Sequence, residues 1–260
     1  MKIIVLTDNH AGGRFGAEHG LSWFIESPDY KFLFDTGHSD LFLRNAEKSG
    51  INLPSEIDTV VLSHGHWDHG DGLEFIQGKK LVCHPGVFIK RFRKGGIENI
   101  GLKRTKDEYL KMFDVHMTIN PIEIFNGVWF LGQIPRKTSF ESKSTGFIYE
   151  NGDPDYVIDD SAIALVKNNE LSVISGCAHS GIVNIVQYAM EITGIKKLKL
   201  VAGGFHLKQN NQQTQKTISW FKDYKSEILL PSHCTQLPAL AAFHKEFGSL
   251  QLKTGDVIDL

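Results

Sequence analysis

Four side chains that bind metals stand within six positions of this chain, and they limit its fold more than any other feature. They are His64, His66, Asp68 and His69. They follow residues 59–62, Thr-Val-Val-Leu, an apolar β-branched run typical of a buried strand. In an extended segment alternate side chains share a face, so His64 and His66 can converge on one cation, while the other two donors turn with the loop towards a second. Zn²⁺ binds imidazole and carboxylate ligands, as do Fe²⁺ and Mn²⁺.

Composition limits the class of protein. With 260 residues, 41% hydrophobic and 22% charged, the chain can bury a sizeable core in one large domain or two small ones. A net charge of −2 without a long basic run gives no reason to expect nucleic acid or a membrane as partner. Three widely spaced cysteines argue against a disulfide framework, and the apolar start reads as a first strand, so we expect a cytoplasmic protein. The oligomeric state stays open.

The order of predicted elements favours one domain over residues 1–260. Strand patterns fill the first part of the chain, and strands alternate with helices over 182–192, 211–224 and 238–247 in the second. This order suits an α+β fold with two mixed sheets and helices on their outer faces. The pattern changes over about 85–120, which we interpret either as a solvated surface loop or as a lid or insert over a site.

A basic, glycine-punctuated stretch lies inside this segment. Arg91, Arg93 and Lys94 belong to it, and either they are ordinary solvated cations or they recognise a phosphate on the substrate. His19 follows a glycine-rich loop near the start of the chain and is a candidate for one wall of a substrate pocket.

Three further histidines each follow an apolar strand and a corner. The strands are predicted over 171–175, 199–201 and 227–230, and each corner contains glycine or proline. The histidines are His179, His206 and His233. The ends of neighbouring strands can gather a site from distant sequence, so these residues are candidates to complete the metal site.

Three other residues have candidate supporting roles. Cys177 is either a small buried side chain or a weak metal ligand. Asp35 follows an apolar strand and could orient a liganding histidine through a hydrogen bond. Asp160 precedes another strand, and its carboxylate could reach the metals.

The string from His64 to His69 resembles the signature of the metallo-β-lactamase superfamily, and Asp35-Thr36-Gly37, His179 and His233 fit its order. The resemblance implies an αββα four-layer sandwich with a two-metal site at one edge. It implies that His64, His66 and His179 bind the first ion. It also implies that Asp68, His69 and His233 bind the second. Two zinc ions are expected, with iron or manganese as alternatives, and glyoxalase-like relatives bridge the ions with an aspartate where Cys177 and His179 stand here.

A two-metal site of this kind predicts hydrolysis by a metal-activated hydroxide. Asp68 would orient the hydroxide, and His206 would contact a substrate oxygen or protonate the leaving group, although a purely structural role for His206 is an equal alternative. The leading hypothesis is a hydrolase acting on a small anionic, phosphorylated substrate.

A narrower resemblance adds a different reaction. Glu18-His19-Gly20, Gly203-Gly204-Phe205-His206 and Pro231-Ser232-His233-Cys234-Thr235 are similar to motifs of 7,8-dihydropterin-6-methyl-4-(β-D-ribofuranosyl)aminobenzene 5′-phosphate synthase-like proteins. This implies, as an alternative, a transferase that condenses a dihydropterin pyrophosphate with a ribofuranosylaminobenzene phosphate. An iron-dependent oxidoreductase and a metal-binding module without turnover are further alternatives.

Overall fold

The structure of the protein is a computed structural model that describes residues 1–260. By internal contacts the chain divides into two units. Unit 1 comprises residues 1–119, 146–155 and 252–260, and unit 2 comprises residues 120–145 and 156–251. This division describes where contacts concentrate and does not test whether the chain folds as one domain, which stays a prediction.

Strands make up most of the regular structure. In chain order they are β1 (Lys2–Thr7), β2 (Ser22–Glu26), β3 (Lys31–Phe34), β4 (Thr59–Val61), β5 (Lys80–Cys83), β6 (Arg91–Arg93), β7 (Asp114–Met117), β8 (Ile122–Phe125), β9 (Val128–Phe130), β10 (Phe147–Tyr149), β11 (Pro154–Asp155), β12 (Ala162–Lys167), β13 (Glu170–Ser175), β14 (Leu198–Gly204), β15 (Ile228–Ser232) and β16 (Val257–Asp259).

Helices follow the strands in both units. They are α1 (Leu41–Lys48), α2 (Leu53–Glu56), α3 (Trp67–Gly70), α4 (Lys106–Met112), α5 (Ile182–Thr193), α6 (Gln212–Tyr224) and α7 (Leu237–Phe247). Two 3-10 helices span Asp71–Phe75 and Pro85–Phe88. None of these helices combines the length and the apolar character that crossing a membrane requires.

Seven strands of unit 1 form one sheet, in the order β16-β1-β2-β3-β4-β5-β7. Leu33, Val60 and Leu81 are paired neighbours on β3, β4 and β5, and all three are fully buried in the core of this unit. Burial of each such side chain contributes about 1.5–3 kcal/mol. Strands β3, β4, β5 and β7 run parallel, so the polar residues that follow them emerge at the same edge of the sheet.

Unit 1 also contains a small antiparallel sheet, in the order β11-β10-β6. Helix α4 begins with a capping box in which Thr105 and Glu108 exchange hydrogen bonds. The segment over about 85–120 thus contributes strands to both sheets of unit 1, and its role as a lid stays a prediction. Strand β7 was not predicted because Asp114 and His116 give it exposed polar positions.

Six strands of unit 2 form its sheet, in the order β15-β14-β13-β12-β9-β8. Strands β13, β14 and β15 run parallel, and Val173, Val201 and Leu229 are paired neighbours buried in the core of this unit. Helix α5 contacts β12 and β13, and α7 contacts β15. A glycine with φ of 72°, Gly194, ends α5, because the left-handed conformation of this cap suits a residue without Cβ.

The mixed sheets and helices confirm the predicted α+β class. The helices predicted over 182–192, 211–224 and 238–247 correspond to α5, α6 and α7, with boundaries that differ by at most one residue. Asp71–Phe75 forms a 3-10 helix rather than an α-helix. A run of five residues is too short to gain much from α-helical propagation. As expected, the three cysteines are thiols and form no disulfide.

Candidate metal centre

The loop after β4 carries the first donors of unit 1, and close packing requires a glycine between the two histidines. A Cβ on Gly65 would lie 2.0 Å from the carbonyl oxygen of Val87, a backbone atom that cannot rotate away. His64 is fully buried and His66 nearly so. The His-Gly-His spacing is therefore a packing requirement as well as a chemical one.

Hydrogen bonds determine which nitrogen of His64 presents a lone pair. The Ser63 hydroxyl donates to Asp35 Oδ2 at 2.7 Å, so it can accept a hydrogen bond from His64 Nδ1, 2.9 Å away. A neutral His64 then carries its lone pair on Nε2, which lies 2.9 Å from His66 Nδ1. The facing ring nitrogens of His64 and His66 are thus the candidate ligand atoms of this pair.

Asp35 arranges the second pair of unit 1 donors. It follows β3 in the left-handed region, with φ of 58°, and its carboxylate also accepts from the Ser63 backbone N–H at 2.7 Å. His69 Nδ1 lies 2.6 Å from Asp35 Oδ2, an arrangement that holds the ring proton on Nδ1. His69 Nε2 is therefore the lone-pair nitrogen, and it lies 3.9 Å from Asp68 Oδ2.

A chain of hydrogen bonds leads to the other side of Asp68. The Gly20 N–H donates to Asn9 Oδ1 at 3.3 Å, which places the amide nitrogen of Asn9 3.2 Å from His19 Nδ1. Because that nitrogen donates, His19 accepts at Nδ1 and carries its proton on Nε2, 3.2 Å from Asp68 Oδ2. The His19 side chain is about half exposed. The structure thus places His19 against a proposed ligand, and its role in a pocket wall stays a prediction.

The three predicted phosphate-binding cations have different surroundings. Arg91 is 1% exposed, its Nε lies 3.5 Å from Asp155 Oδ2, and Nη2 donates to the Gly86 carbonyl at 3.1 Å. Its guanidinium therefore has partners inside unit 1, and a role of Arg91 in substrate recognition stays a prediction. Arg93 and Lys94 are exposed and remain candidates.

The donors of unit 2 stand at three corners after parallel strands. Ser175 pairs with Gly203, and Gly203 pairs with Pro231, so β13, β14 and β15 end side by side. Ala178, His206 and His233 all have φ of 51°, in the left-handed region that non-glycine residues rarely adopt. Such strained backbone conformations persist only where surrounding contacts hold them in place, and they are common at functional sites.

Two imidazoles and two thiols lie close together in unit 2. The ring centroids of His179 and His206 are 4.4 Å apart, and Cys177 is 4% exposed. Burial raises the pKa of the Cys234 thiol, but hydrogen bonds with Cys177 and His206, together with electrostatic interactions with His206 and His233, outweigh burial and hold that pKa well below its usual value. His233, next in sequence to this thiol, is 7% exposed.

Asp160 holds the backbone of the His179 corner. Its carboxylate is fully buried and accepts from the Ser180 N–H at 2.9 Å. Burial raises its pKa to about 6, and the hydrogen bonds to Ser180 and the His179 backbone oppose that rise. On the other side of the corner, the Ser142 hydroxyl donates to the His179 carbonyl at 2.8 Å. Asp160 is therefore placed to position His179 through the backbone, and direct contact with a metal stays a prediction.

Several residues around these donors were missed from the sequence. Glu141 is 1% exposed and accepts from the N–H groups of Val183 and Asn184 at the start of α5, each at 3.0 Å. Burial raises the pKa of Glu141 to about 7. No periodic pattern marks this residue, because its partners lie some forty positions away. Asn9 and Ser63 each lie two residues after the end of a strand, β1 and β4 respectively, and this position was a usable signal.

The donor chemistry of both units fits divalent metal ions. In unit 1 the neutral tautomers imposed on His64 and His69 leave each with one imidazole lone pair facing a neighbouring donor. In unit 2, Nδ1 of His206 is buried and has no hydrogen-bond partner. Such an atom is costly to bury unless something binds it. Imidazole, carboxylate and thiol are the groups that hold zinc and related ions.

Known proteins resemble the chain over nearly its full length. A sequence model described as the metallo-β-lactamase superfamily matches residues 15–83. A Methanocaldococcus jannaschii protein, 7,8-dihydropterin-6-methyl-4-(β-D-ribofuranosyl)-aminobenzene-5′-phosphate synthase, is 33% identical and covers 95% of this chain and 92% of its own. An uncharacterized protein of that organism, MJ0448, is 32% identical over 92% of both chains. The crystal structure of Tm1679, a metal-dependent hydrolase of the β-lactamase superfamily, matches with a TM-score of 0.89 at 30% identity, covering 100% of this chain and 99% of that one.

The matched region contains Asp35 and the candidate ligands His64, His66, Asp68 and His69. The family match therefore includes the residues of the hydrogen-bonded network described above. The likeness to Tm1679 confirms the predicted metallo-β-lactamase fold, and the likeness to the synthase confirms the narrower resemblance. With relatives above 30% identity along almost its entire length, the chain belongs to the metallo-β-lactamase superfamily.

Proposed function

We propose that this protein is a metal-dependent hydrolase that acts on a small anionic, phosphorylated substrate. The observation that carries the proposal is the buried network in which Asp35 and Ser63 aim the lone pairs of His64 and His69 at neighbouring donors. Preorganised ligands of this kind are what a catalytic metal site needs. The likeness to Tm1679, described as a metal-dependent hydrolase, supports the same reaction class.

The ligand assignment follows the order that the family resemblance implies. His64, His66 and His179 are proposed to bind one ion. Asp68, His69 and His233 are proposed to bind the other. Zinc suits this mixture of imidazole and carboxylate, and iron or manganese would be held by the same donors.

When bound, two divalent ions supply Lewis acidity to a phosphoryl oxygen and lower the pKa of water. Asp35 keeps the proton of His69 on Nδ1, so that Nε2 is available as a ligand. The His19 Nε2–H donates to Asp68 and fixes the orientation of that carboxylate. His206 is the proposed proton donor to the leaving group, and Arg93 and Lys94 are the proposed cations for a substrate phosphate.

The test is turnover of phosphoester substrates by protein loaded with Zn²⁺, Mn²⁺ or Fe²⁺, followed as phosphate release. His66→Ala and Asp68→Ala are expected to abolish turnover while circular dichroism and the unfolding midpoint show a folded protein. His116→Ala is the matched control, because His116 is an exposed histidine on β7. Wild-type turnover in either ligand variant would contradict the mechanism, and oxygen consumption by the iron-loaded protein would favour an oxidoreductase instead.

The likeness to the synthase from Methanocaldococcus jannaschii supports a second candidate, a transferase. In this case the metals would act on a pyrophosphate leaving group, and a second substrate would act as the acceptor in place of water. Product analysis by mass spectrometry distinguishes the two reactions. A product containing both substrates indicates transfer, whereas the same phosphate release with and without the acceptor indicates hydrolysis.

A further inference from the structure

An arginine of unit 2 joins two segments that lie on either side of the His179 corner. Arg136 follows β9 and is half-buried. Its Nη1 donates to the Ser142 hydroxyl, and its Nη2 donates to the carbonyls of Tyr156 and Val157, the latter at 3.2 Å. One guanidinium therefore ties the segment after β9 to the segment that leads into β12.

The chemistry of the guanidinium sets the direction of the next hydrogen bond. A guanidinium has donors and no acceptor, so the Ser142 oxygen must accept from Arg136. The one proton of that hydroxyl is then directed to the His179 carbonyl, 2.8 Å away. Arg136 therefore acts on the backbone of His179 through one intervening hydroxyl.

Both segments have a strained backbone at the residues that Arg136 binds. Ser142 has φ of 53° and Val157 has φ of 52°, in the left-handed region that few residues other than glycine adopt. Ala178, directly before His179, has φ of 51°. Strained backbone persists where surrounding contacts hold it, and Arg136 supplies such contacts at the first two of these positions.

The other side of the corner is held by a carboxylate that also senses this arginine. Asp160 accepts from the Ser180 N–H at 2.9 Å. Burial raises the pKa of Asp160, and the positive charge of Arg136 is among the interactions that oppose this rise. Arg136 thus supports both groups that hold the backbone around His179, one by a hydrogen bond and one by its charge.

The segment that carries Arg136 is itself tied to the corner. The N–H groups of Lys137 and Thr138 donate to Asn184 Oδ1 at 2.9 and 2.8 Å. The amide nitrogen of Asn184 donates in turn to the Ser180 carbonyl at 2.8 Å. The guanidinium is therefore anchored on backbone that is already fixed to the corner it supports.

We propose that Arg136 is a positioning residue that holds the backbone of His179 so that its imidazole is placed for metal binding. The inference rests on the proposed function, in which His179 binds the first ion. The guanidinium fork binds two segments at once, whereas the lysine ammonium is a point charge on a flexible stem. Lysine at this position would therefore keep the charge but lose the fork that joins the segments.

The sharpest test removes the Ser142 hydroxyl without straining the backbone. Glycine adopts a φ of 53° readily, so Ser142→Gly should fold. We expect its zinc affinity, measured by competition with a chromogenic chelator, to fall about tenfold, the lower end of the effect of residues that orient metal ligands. Asn169→Gly is the matched control, at an exposed position with φ of 60°, and should keep wild-type affinity. Wild-type affinity in Ser142→Gly would overturn the proposal.

A double-mutant cycle tests Arg136 itself. Arg136→Met and Arg136→Lys should each lower zinc affinity about tenfold, whereas Lys137→Met, which removes an exposed neighbouring cation, should leave it unchanged. If Arg136 acts through His179, Arg136→Met should change the affinity by less than about twofold once His179→Ala has removed the imidazole. The same tenfold loss in both backgrounds, or wild-type affinity in Arg136→Lys, would refute the assignment.

These measurements follow metal binding rather than turnover, so they separate the positioning role from the proposed reaction. Zinc affinity that depends on Arg136 and His179, in a protein that hydrolyses no phosphoester, would contradict the proposed hydrolase and support the positioning role. Unchanged zinc affinity in His179→Ala would contradict the ligand assignment and the positioning role together.

Discussion

Glu141 should make the protein lose stability as the pH rises towards neutrality. Its carboxylate is 1% exposed and accepts hydrogen bonds from two backbone N–H groups at the start of α5. Burial nevertheless raises its pKa from the usual 4.5 to about 7, because those donors and Thr138 replace only part of the lost hydration. The segment matters for the site, since the neighbouring Ser142 holds the carbonyl of His179.

The direction of the pH effect on stability follows from proton binding in the folded and unfolded states. Between its usual pKa of 4.5 and the folded value of about 7, the folded protein binds more protons at Glu141 than the unfolded chain does. The contribution to the free energy of unfolding is therefore fully present below about pH 4.5 and is lost as the pH rises through about 7. At 1.36 kcal/mol per pH unit, this interval corresponds to about 3 kcal/mol.

The assay compares urea unfolding of wild type and Glu141→Gln between about pH 4.5 and 8, in the presence of a chelator. Because glutamine does not titrate, the difference in unfolding free energy isolates this residue, and wild type should lose about 3 kcal/mol relative to the variant. Glu150→Gln, at an exposed position, should show a flat difference. A flat or rising difference at Glu141 would refute the reasoning, because it would mean that the α5 N-terminus keeps the carboxylate charged.

Three further predictions test other parts of the site. Gly65→Ala forces a Cβ against backbone and should lower the free energy of unfolding of the metal-free protein by about 3 kcal/mol or more. Gly146→Ala places its Cβ in open space and should change that free energy by no more than about 1 kcal/mol. Equal effects of the two variants would contradict the packing argument. Asp35→Asn should weaken zinc affinity about 10–100-fold by competition titration, and unchanged affinity would contradict its orienting role. Arg91→Met should lower the free energy of unfolding by about 3–5 kcal/mol, because it removes the cation beside the buried carboxylate of Asp155. Arg93→Met should change it by no more than about 0.5 kcal/mol, and equal effects of the two variants would contradict the ion-pair argument.

The sequence alone predicted the parts of the site that depend on residues close together in the chain. The four donors from His64 to His69 lie within one loop, and the strand before them has a clear β-branched pattern. The corners at His179, His206 and His233 were found because each repeats the order of apolar strand, corner and histidine. Parallel neighbours then place these corners side by side, as the pairing of β13, β14 and β15 shows.

Features that depend on distant partners could not be predicted. Arg91 looks like a surface cation in its local sequence, and only its contact with Asp155, over sixty positions later, reveals that it is buried. Glu141 gives no local sign that it caps a helix starting at Ile182. The need for a glycine at position 204 likewise depends on Cys177 and Cys234, which approach it from two other strands.

In each unit a buried carboxylate holds a loop that carries proposed metal ligands. Asp35 holds His69 and the Ser63 backbone in unit 1, and Asp160 holds the backbone beside His179 in unit 2. These contacts involve only protein groups, so we expect them to persist without any ion. Donor loops fixed in this way avoid most of the ordering cost that a flexible loop would incur on binding metal. Chelation should therefore lower the unfolding midpoint through lost binding energy alone, while hydrogen exchange at Ser63 and Ser180 remains slow. Fast exchange at these amides after chelation would show instead that the metals, rather than the carboxylates, order the loops.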